Sequence, residues 1–228
     1  MRHHEWHLFV GGLVVALVLG PALTGCAGEP ARVGKSVPLE KGVDPSATCD
    51  RGAHVHIFLI HGLDPLDWGD LQSLRDHLCQ LGYRHVVLAQ SHQTATIHDE
   101  IRCVRHGDPR ARIALIGFSM GARKAHALAA ALREDGEPLD LLVYLDGKGL
   151  AYVAEDHVQL ACRVINVMAP GLVLRAPSLA GAENVLLPDV WHYGVPTHPT
   201  TFALLACALN ALTTDTGLPP PGAVHAGP

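Results

Sequence analysis

Arg112-Ile-Ala-Leu-Ile-Gly-Phe-Ser-Met-Gly-Ala122 decides how this chain is read. Ile113 to Ile116 is an unbroken apolar run of the kind found in strands buried on both faces. Gly117-Phe118-Ser119-Met120-Gly121 follows without a spacer, and Ala125 to Leu132 is then a run of strong helix formers. A strand that turns directly into a helix leaves almost no room for side chains two residues before and two residues after the turn's central position. Gly117 and Gly121 stand at those positions. Ser119 is thereby carried to the strand end and to a helix N-terminus, where unpaired N–H groups favour developing negative charge. A G-x-S-x-G in this context is the nucleophile-elbow pattern.

His54 to Ile60 reads as another strand, running straight into His61-Gly62-Leu63. Together with the elbow, this pair resembles the α/β-hydrolase family, in which a His-Gly after an early strand opens the loop giving the second oxyanion N–H. The resemblance spans Val55 to Leu212. It implies an α/β fold, a three-layer sandwich of about six mostly parallel strands, and the connection from Asp146 to Arg163, under twenty residues long, leaves no room for a large lid. It also implies an oxyanion hole made by the backbone N–H groups of Met120 and Leu63. His61, Gly62, Gly117 and Gly121 would shape that loop and the elbow.

The same resemblance implies a chain order of serine, acid, histidine. Two histidines stand between the last expected strand and the last helix. His192, in Asp189-Val-Trp-His-Tyr193, follows the strand end and is expected to be the base. His198 directly precedes Pro199 and is better placed to cap the helix. The carboxylates between Ser119 and His192 are Glu134, Asp135, Glu137, Asp140, Asp146, Glu155, Asp156, Glu183 and Asp189. Only Asp146 closes an apolar strand at its carboxyl end, the edge where functional groups of open parallel sheets gather. The family's commoner acid position, after the next strand, holds Ala169-Pro170-Gly171 and offers no carboxylate. Some members carry the acid one strand earlier, so Asp146 is the expected orienting acid.

The N-terminus reads as an address. Arg2 precedes an apolar run from Leu8 to Leu19, closed by Gly20-Pro21 and followed by Leu23-Thr-Gly-Cys26. A charged start, a short apolar core and small residues before a cut mark a secretory signal. Leu-Thr-Gly-Cys resembles the bacterial lipobox, which implies cleavage before Cys26, lipidation of its sulfur and a lipid-anchored place in the cell envelope. The expected organisation is a signal peptide over 1–25, a Gly- and Pro-punctuated tether over 26–52, the hydrolase-like domain over 53–212 and a disordered tail over 213–228.

Hydrophobic residues make up 48% of the chain and charged residues 17%, enough for one sizeable core. A net charge of -5 without a basic cluster argues against nucleic acid as a partner. Strands and helices alternate, which predicts a parallel sheet covered on both faces. The periodicity predicts a helix from Trp68 to Leu81 and a strand from His85 to Ala89. Thr96-Ile-His-Asp99 reads as a capping box opening a helix to His106. Further strands are expected at Leu139–Leu145, Arg163–Met168 and Asn184–Leu187, with a final helix over Pro199–Leu212. The histidines lack metal-ligand spacing, so neither a metal nor another cofactor is expected. Beyond Cys26 five cysteines remain, an odd number that would leave at least one unpaired or intermolecular if an exported protein forms disulfides, and those on helical stripes read at least as well as buried free thiols.

The leading functional expectation is a serine hydrolase acting through an acyl-enzyme on a small-molecule or lipid-like ester or thioester. The alternative is an inactive hydrolase-like envelope lipoprotein that serves as a binding or structural module.

Overall fold

The computed structural model describes residues 52–64, 66–148, 150, 156–171 and 176–214, all inside the unit Gly42–Pro228. The expected signal peptide, Cys26, nearly all of the tether, Cys49 and residues 215–228 of the tail lie outside these residues.

Six strands form one sheet: β1 (Val55–Ile60), β2 (His85–Ala89), β3 (Arg112–Phe118), β4 (Leu139–Leu145), β5 (Ala161–Met168) and β6 (Glu183–Leu186). Their order is β2-β1-β3-β4-β5-β6, and every neighbouring pair is parallel. Among the described residues four α-helices accompany them: α1 (Leu71–Gln80), α2 (Thr94–Gly107), α3 (Met120–Glu134) and α4 (Pro199–Thr214).

The continuous apolar strands follow from a sheet covered on both sides. Successive strand side chains point to opposite faces, so each strand feeds two cores at once. Leu141, Val143 and Leu145 join Ile57, Leu59 and Ile165 in one core, which the apolar stripes of α1 (Leu71, Leu74, Leu78) and α4 (Leu205, Ala208, Leu209) close. Leu142 and Tyr144 join Phe58, Ile60 and Leu115 in the other, closed by Ile97 and Ile101 of α2 and by Ala125, Ala129 and Leu132 of α3. Each fully buried leucine or isoleucine contributes about 1.5–3 kcal/mol.

The chain runs from β1 outward to β2 and returns to β3 on β1's other side. The helices linking these strands therefore lie on opposite faces, and a crevice opens at the carboxyl ends of β1 and β3. Register puts Ile60 beside Gly117, so the loop after β1 and the turn after β3 leave the sheet side by side.

Some element starts differ from the sequence expectation, each for a local reason. α1 begins at Leu71 and not at Trp68, because Asp64 accepts the Trp68 N–H at 3.0 Å and the Gly69 N–H at 2.6 Å. Asp70, at φ 44°, then caps the helix by accepting from the Ser73 N–H at 3.0 Å. α2 begins at Thr94, which puts Thr96 inside it, so Thr96-x-x-Asp99 is not a capping box. Gln93 holds the N-cap position without a side-chain bond to the helix, because its Oε1 accepts the Gln90 N–H at 2.7 Å. Cys79, Cys103, Cys162 and Cys207 are free thiols, and all four are exposed where the helical ones were expected to be buried. One residue is about 100° of helix rotation, which turns Cys79 off the face that buries Leu78.

Candidate active site

Ser119 sits at φ 56° and ψ -121°, a conformation strained for a residue with a side chain. The surroundings hold it there. Its N–H donates to Leu145 O at 3.0 Å, and its carbonyl accepts the Ala122 N–H at 3.1 Å. The turn closes only because its flanks lack side chains. A Cβ on Gly117 would lie 2.6 Å from Gly121 O, and one on Gly121 would collide with the carbonyl oxygen of Ile60. Gly62 is pressed against the same turn, for a Cβ there would lie 2.7 Å from Phe118 O and 3.2 Å from Met120 N. The His61-Gly62-Leu63 backbone thus lies against the first residue of α3, whose N–H has no helical acceptor.

The three residues expected to act together do meet. His192 Nε2 lies 2.9 Å from Ser119 Oγ, and His192 Nδ1 lies 2.5 Å from Asp146 Oδ2. Asp146 is 2% exposed and follows β4 at φ 43°. Its N–H donates to Val167 O at 2.7 Å, and its carbonyl accepts the Lys148 N–H at 2.8 Å. Its Oδ1 accepts the Ala169 N–H at 3.1 Å. The segment after β5, which offers no carboxylate, therefore holds the acid of the preceding strand through its backbone. His192 opens a short 3-10 turn, His192–Gly194. Its ring stacks on Phe118 with centroids 4.9 Å apart, and Tyr193 meets it edge-on at 4.8 Å. A carboxylate on Nδ1 favours the tautomer with the proton there, leaving Nε2 as acceptor for the serine O–H. The arrangement can take a proton from Ser119 and stabilise the imidazolium that results.

The other candidates lie elsewhere. His198 faces Asp189 at 3.6 Å and accepts the Thr200 N–H at 3.2 Å through Nδ1, so it does cap α4's start. Glu183 pairs with Arg163 at 2.6 Å. Asp140 is held at the opposite edge of the sheet by Arg112 and Arg105. Met120 and Leu63 have exposed side chains beside the elbow, so any part they play in the site falls to their backbone N–H groups.

Three features escaped the sequence. The Ala169 N–H has no sequence signature, being a backbone group placed by closure of β5 on β4. Phe118 occupies a variable position of the elbow pattern, and only the fold shows that its ring supports His192. His61, Asp64 and Asp67 bring ligand atoms within 4.8 Å of one another, a grouping no histidine spacing reveals. Asp64 already accepts two backbone N–H groups and His61 Nε2 faces Asp67 Oδ1 at 3.3 Å, so these groups frame the loop after β1.

No family model matches this chain, and no curated protein matches its sequence. Solved structures do. The chain is similar to a predicted CIB-like hydrolase from Thermoplasma acidophilum at 16% identity and a TM-score of 0.50, over 71% of this chain and 88% of that one. It is also similar to the RedJ thioesterase of the prodiginine biosynthetic pathway in Streptomyces coelicolor, at 16% identity and a TM-score of 0.48, over 79% and 96%. Human thioesterase 2 aligns at 10% identity and a TM-score of 0.47, over 73% and 99%. At such identities the likeness concerns architecture, and the parallel sheet with an elbow after β3 has the α/β-hydrolase fold.

Proposed function

We propose that the protein is a serine hydrolase cleaving a carboxylic ester or thioester through an acyl-enzyme, with Ser119 as nucleophile, His192 as base and Asp146 as orienting acid. The observation that carries this is the unbroken relay from Ser119 Oγ through His192, 2.9 Å on one side, to Asp146, 2.5 Å on the other. Ser119 Oγ attacks the carbonyl carbon while its proton passes to His192 Nε2. Asp146 keeps the imidazole in the right tautomer and offsets its positive charge. The carbonyl oxygen becomes an oxyanion beside the backbone N–H groups of Met120 and Leu63, each such donor being worth about 3 kcal/mol. His192 then gives the proton to the departing alcohol or thiol. Water repeats the sequence to release the acid.

The alternative of an inactive binding or structural module needs an incomplete triad, and Asp146 Oδ2 at 2.5 Å from His192 Nδ1 favours the hydrolase reading over it. Short-chain p-nitrophenyl esters test the reading. Wild type should turn them over, and Ser119→Ala should abolish turnover without unfolding the domain. Equal turnover by both proteins would sink it. The same reading includes export and anchoring through lipidated Cys26, supported by Leu23-Thr-Gly-Cys26 after an apolar run. Intact mass of membrane-extracted protein should begin at Cys26 with a diacylglyceryl addition, and a soluble form without it would refute the anchor.

A further inference from the structure

Most large apolar side chains exposed among the described residues cluster in the segments that carry the site. Leu63 is 70% exposed, Leu66 63% and Trp68 56% on the loop after β1, Met120 52% beside Ser119, and Trp191 61% beside His192. Single exposed leucines are ordinary, but several around one site indicate a binding surface. The aromatic members are ordered against each other. Trp68 meets Tyr193 edge-on with centroids 5.4 Å apart and Trp191 at 6.1 Å, and Trp191 meets Tyr193 at 5.1 Å. Tyr193 in turn lies 4.8 Å from the His192 ring. A continuous set of rings therefore runs from solvent to the imidazole.

The side of the site matters. In acylation the Ser119 Oγ–carbon bond forms, the proton moves to His192 Nε2, and the bond from carbon to the leaving oxygen or sulfur breaks with its electron pair. That atom takes the proton, so it must lie within hydrogen-bond reach of Nε2. The oxyanion is held instead by the backbone N–H groups of Met120 and Leu63. Whatever the leaving atom carries then starts from the His192 side of the site, beside Tyr193, which Trp191 and Trp68 flank. Building on the serine-hydrolase reading, we infer that these three rings are a platform for the leaving group. The substrate is then an ester or thioester whose alcohol or thiol bears a long alkyl chain or a flat aromatic group.

Two ester series with primary alcohols of similar acidity separate the two sides of the substrate. In one the alcohol grows from ethyl to octyl acetate, and in the other the acyl group grows from ethyl acetate to ethyl octanoate. A methylene fully removed from water is worth about fourfold in binding, and a platform that covers the chain on one side realises only part of that. For the full chain, kcat/KM should thus be on the order of tenfold higher for octyl than for ethyl acetate, while the acyl series changes by less than about threefold. Trp68→Ala and Trp191→Ala should each reduce the octyl-to-ethyl ratio, and Leu186→Ala, exposed on β6, should leave it unchanged. A ratio untouched by both tryptophan variants, or a gain confined to the acyl series, would overturn the platform. Turnover of ethyl acetate with a flat alcohol series sinks the platform alone, whereas no turnover and no fluorophosphonate adduct on Ser119 sinks the serine-hydrolase reading. A second readout needs no turnover. Trp68 and Trp191 are two of the chain's three tryptophans. In Ser119→Ala protein, octyl acetate should shift tryptophan emission to the blue and ethyl acetate should not. Absence of that shift also overturns the platform.

Discussion

The two edges of the sheet hold similar residue types and differ in what those residues are free to do. At the amino edge Asp140 lies between Arg112 and Arg105, at 3.0 and 3.3 Å, and also accepts the Ile113 N–H at 2.8 Å. Arg105 reaches Glu137 at 3.2 Å, His54 pairs with Asp108, and His56 stacks on His85 at 4.3 Å. The carboxylates there are matched by basic side chains within the fold, as in a structural tie. At the carboxyl edge Asp146 has one histidine and one backbone N–H, and the relay ends on a hydroxyl rather than on an opposite charge. Two residues of that constellation, Ser119 and Asp146, have positive φ. Density of titratable groups therefore does not mark the site. A directed relay ending at a strained serine is what sets the candidate site apart.

That comparison can be broken by exchanging equivalent substitutions between the edges. The largest effect is expected for Asp146→Asn, which should lower kcat by roughly 10²–10⁴ through loss of the correct imidazole tautomer. The denaturation midpoint should hardly move, since the amide can still accept the Ala169 N–H. Steady-state kinetics beside urea unfolding would check both halves. Asp140→Asn should do the reverse. Removing a buried carboxylate from between two guanidinium groups should cost about 3 kcal/mol of stability, with kcat of the folded protein changed less than about twofold. If Asp140→Asn abolishes ester turnover at unchanged stability, the assignment of roles to the two edges is wrong.

Gly62→Ala sharpens the picture on the carboxyl edge. The added Cβ would push the loop after β1 off the elbow and displace one oxyanion donor, so kcat should fall on the order of a hundredfold with KM little altered. Wild-type kcat in the Gly62→Ala variant would show that this loop takes no part. The smallest effect belongs to the amino edge. Burial first, and then the neighbouring His85, hold the His56 imidazole below its ordinary value of 6.5. The unfolded chain thus binds a proton there more readily than the folded one. This contribution to stability is whole above the unfolded value and is lost as pH falls through it toward the folded value. His56→Gln should flatten the acid side of the stability profile as pH falls below about 6.5, measured by urea midpoints. An unchanged slope would remove His56 from that account.

Much of this was readable from residue order, for physical reasons that differ by element. Ile113 to Ile116 and Leu141 to Leu145 are apolar on both faces, which only a covered parallel strand requires. Gly117 and Gly121 announce a turn that excludes side chains, and Asp146 was legible because it alone closes an apolar strand. The failures are of another kind. The start of α1 depends on Asp64 reaching Trp68 and Gly69, and the start of α2 on Gln93 turning back to Gln90. Such short side-chain to backbone bonds compete closely with helix caps, and residue types alone do not say which geometry wins. The Ala169 N–H that holds Asp146 belongs to no residue type at all. The aromatic set of Trp68, Trp191 and Tyr193 joins segments distant in sequence, so it exists only once β1 and β6 share a sheet edge.

The central claim is that Ser119 is a nucleophile activated by His192. A fluorophosphonate probe tests it without any guess about substrate, because it reacts with a serine only when that oxygen is activated. Folded wild-type protein should gain one adduct, mapped by peptide mass spectrometry to the segment containing Ser119, and Ser119→Ala and His192→Ala proteins should gain none there. An unlabelled Ser119 in folded wild type, or equal labelling after loss of His192, would contradict the account.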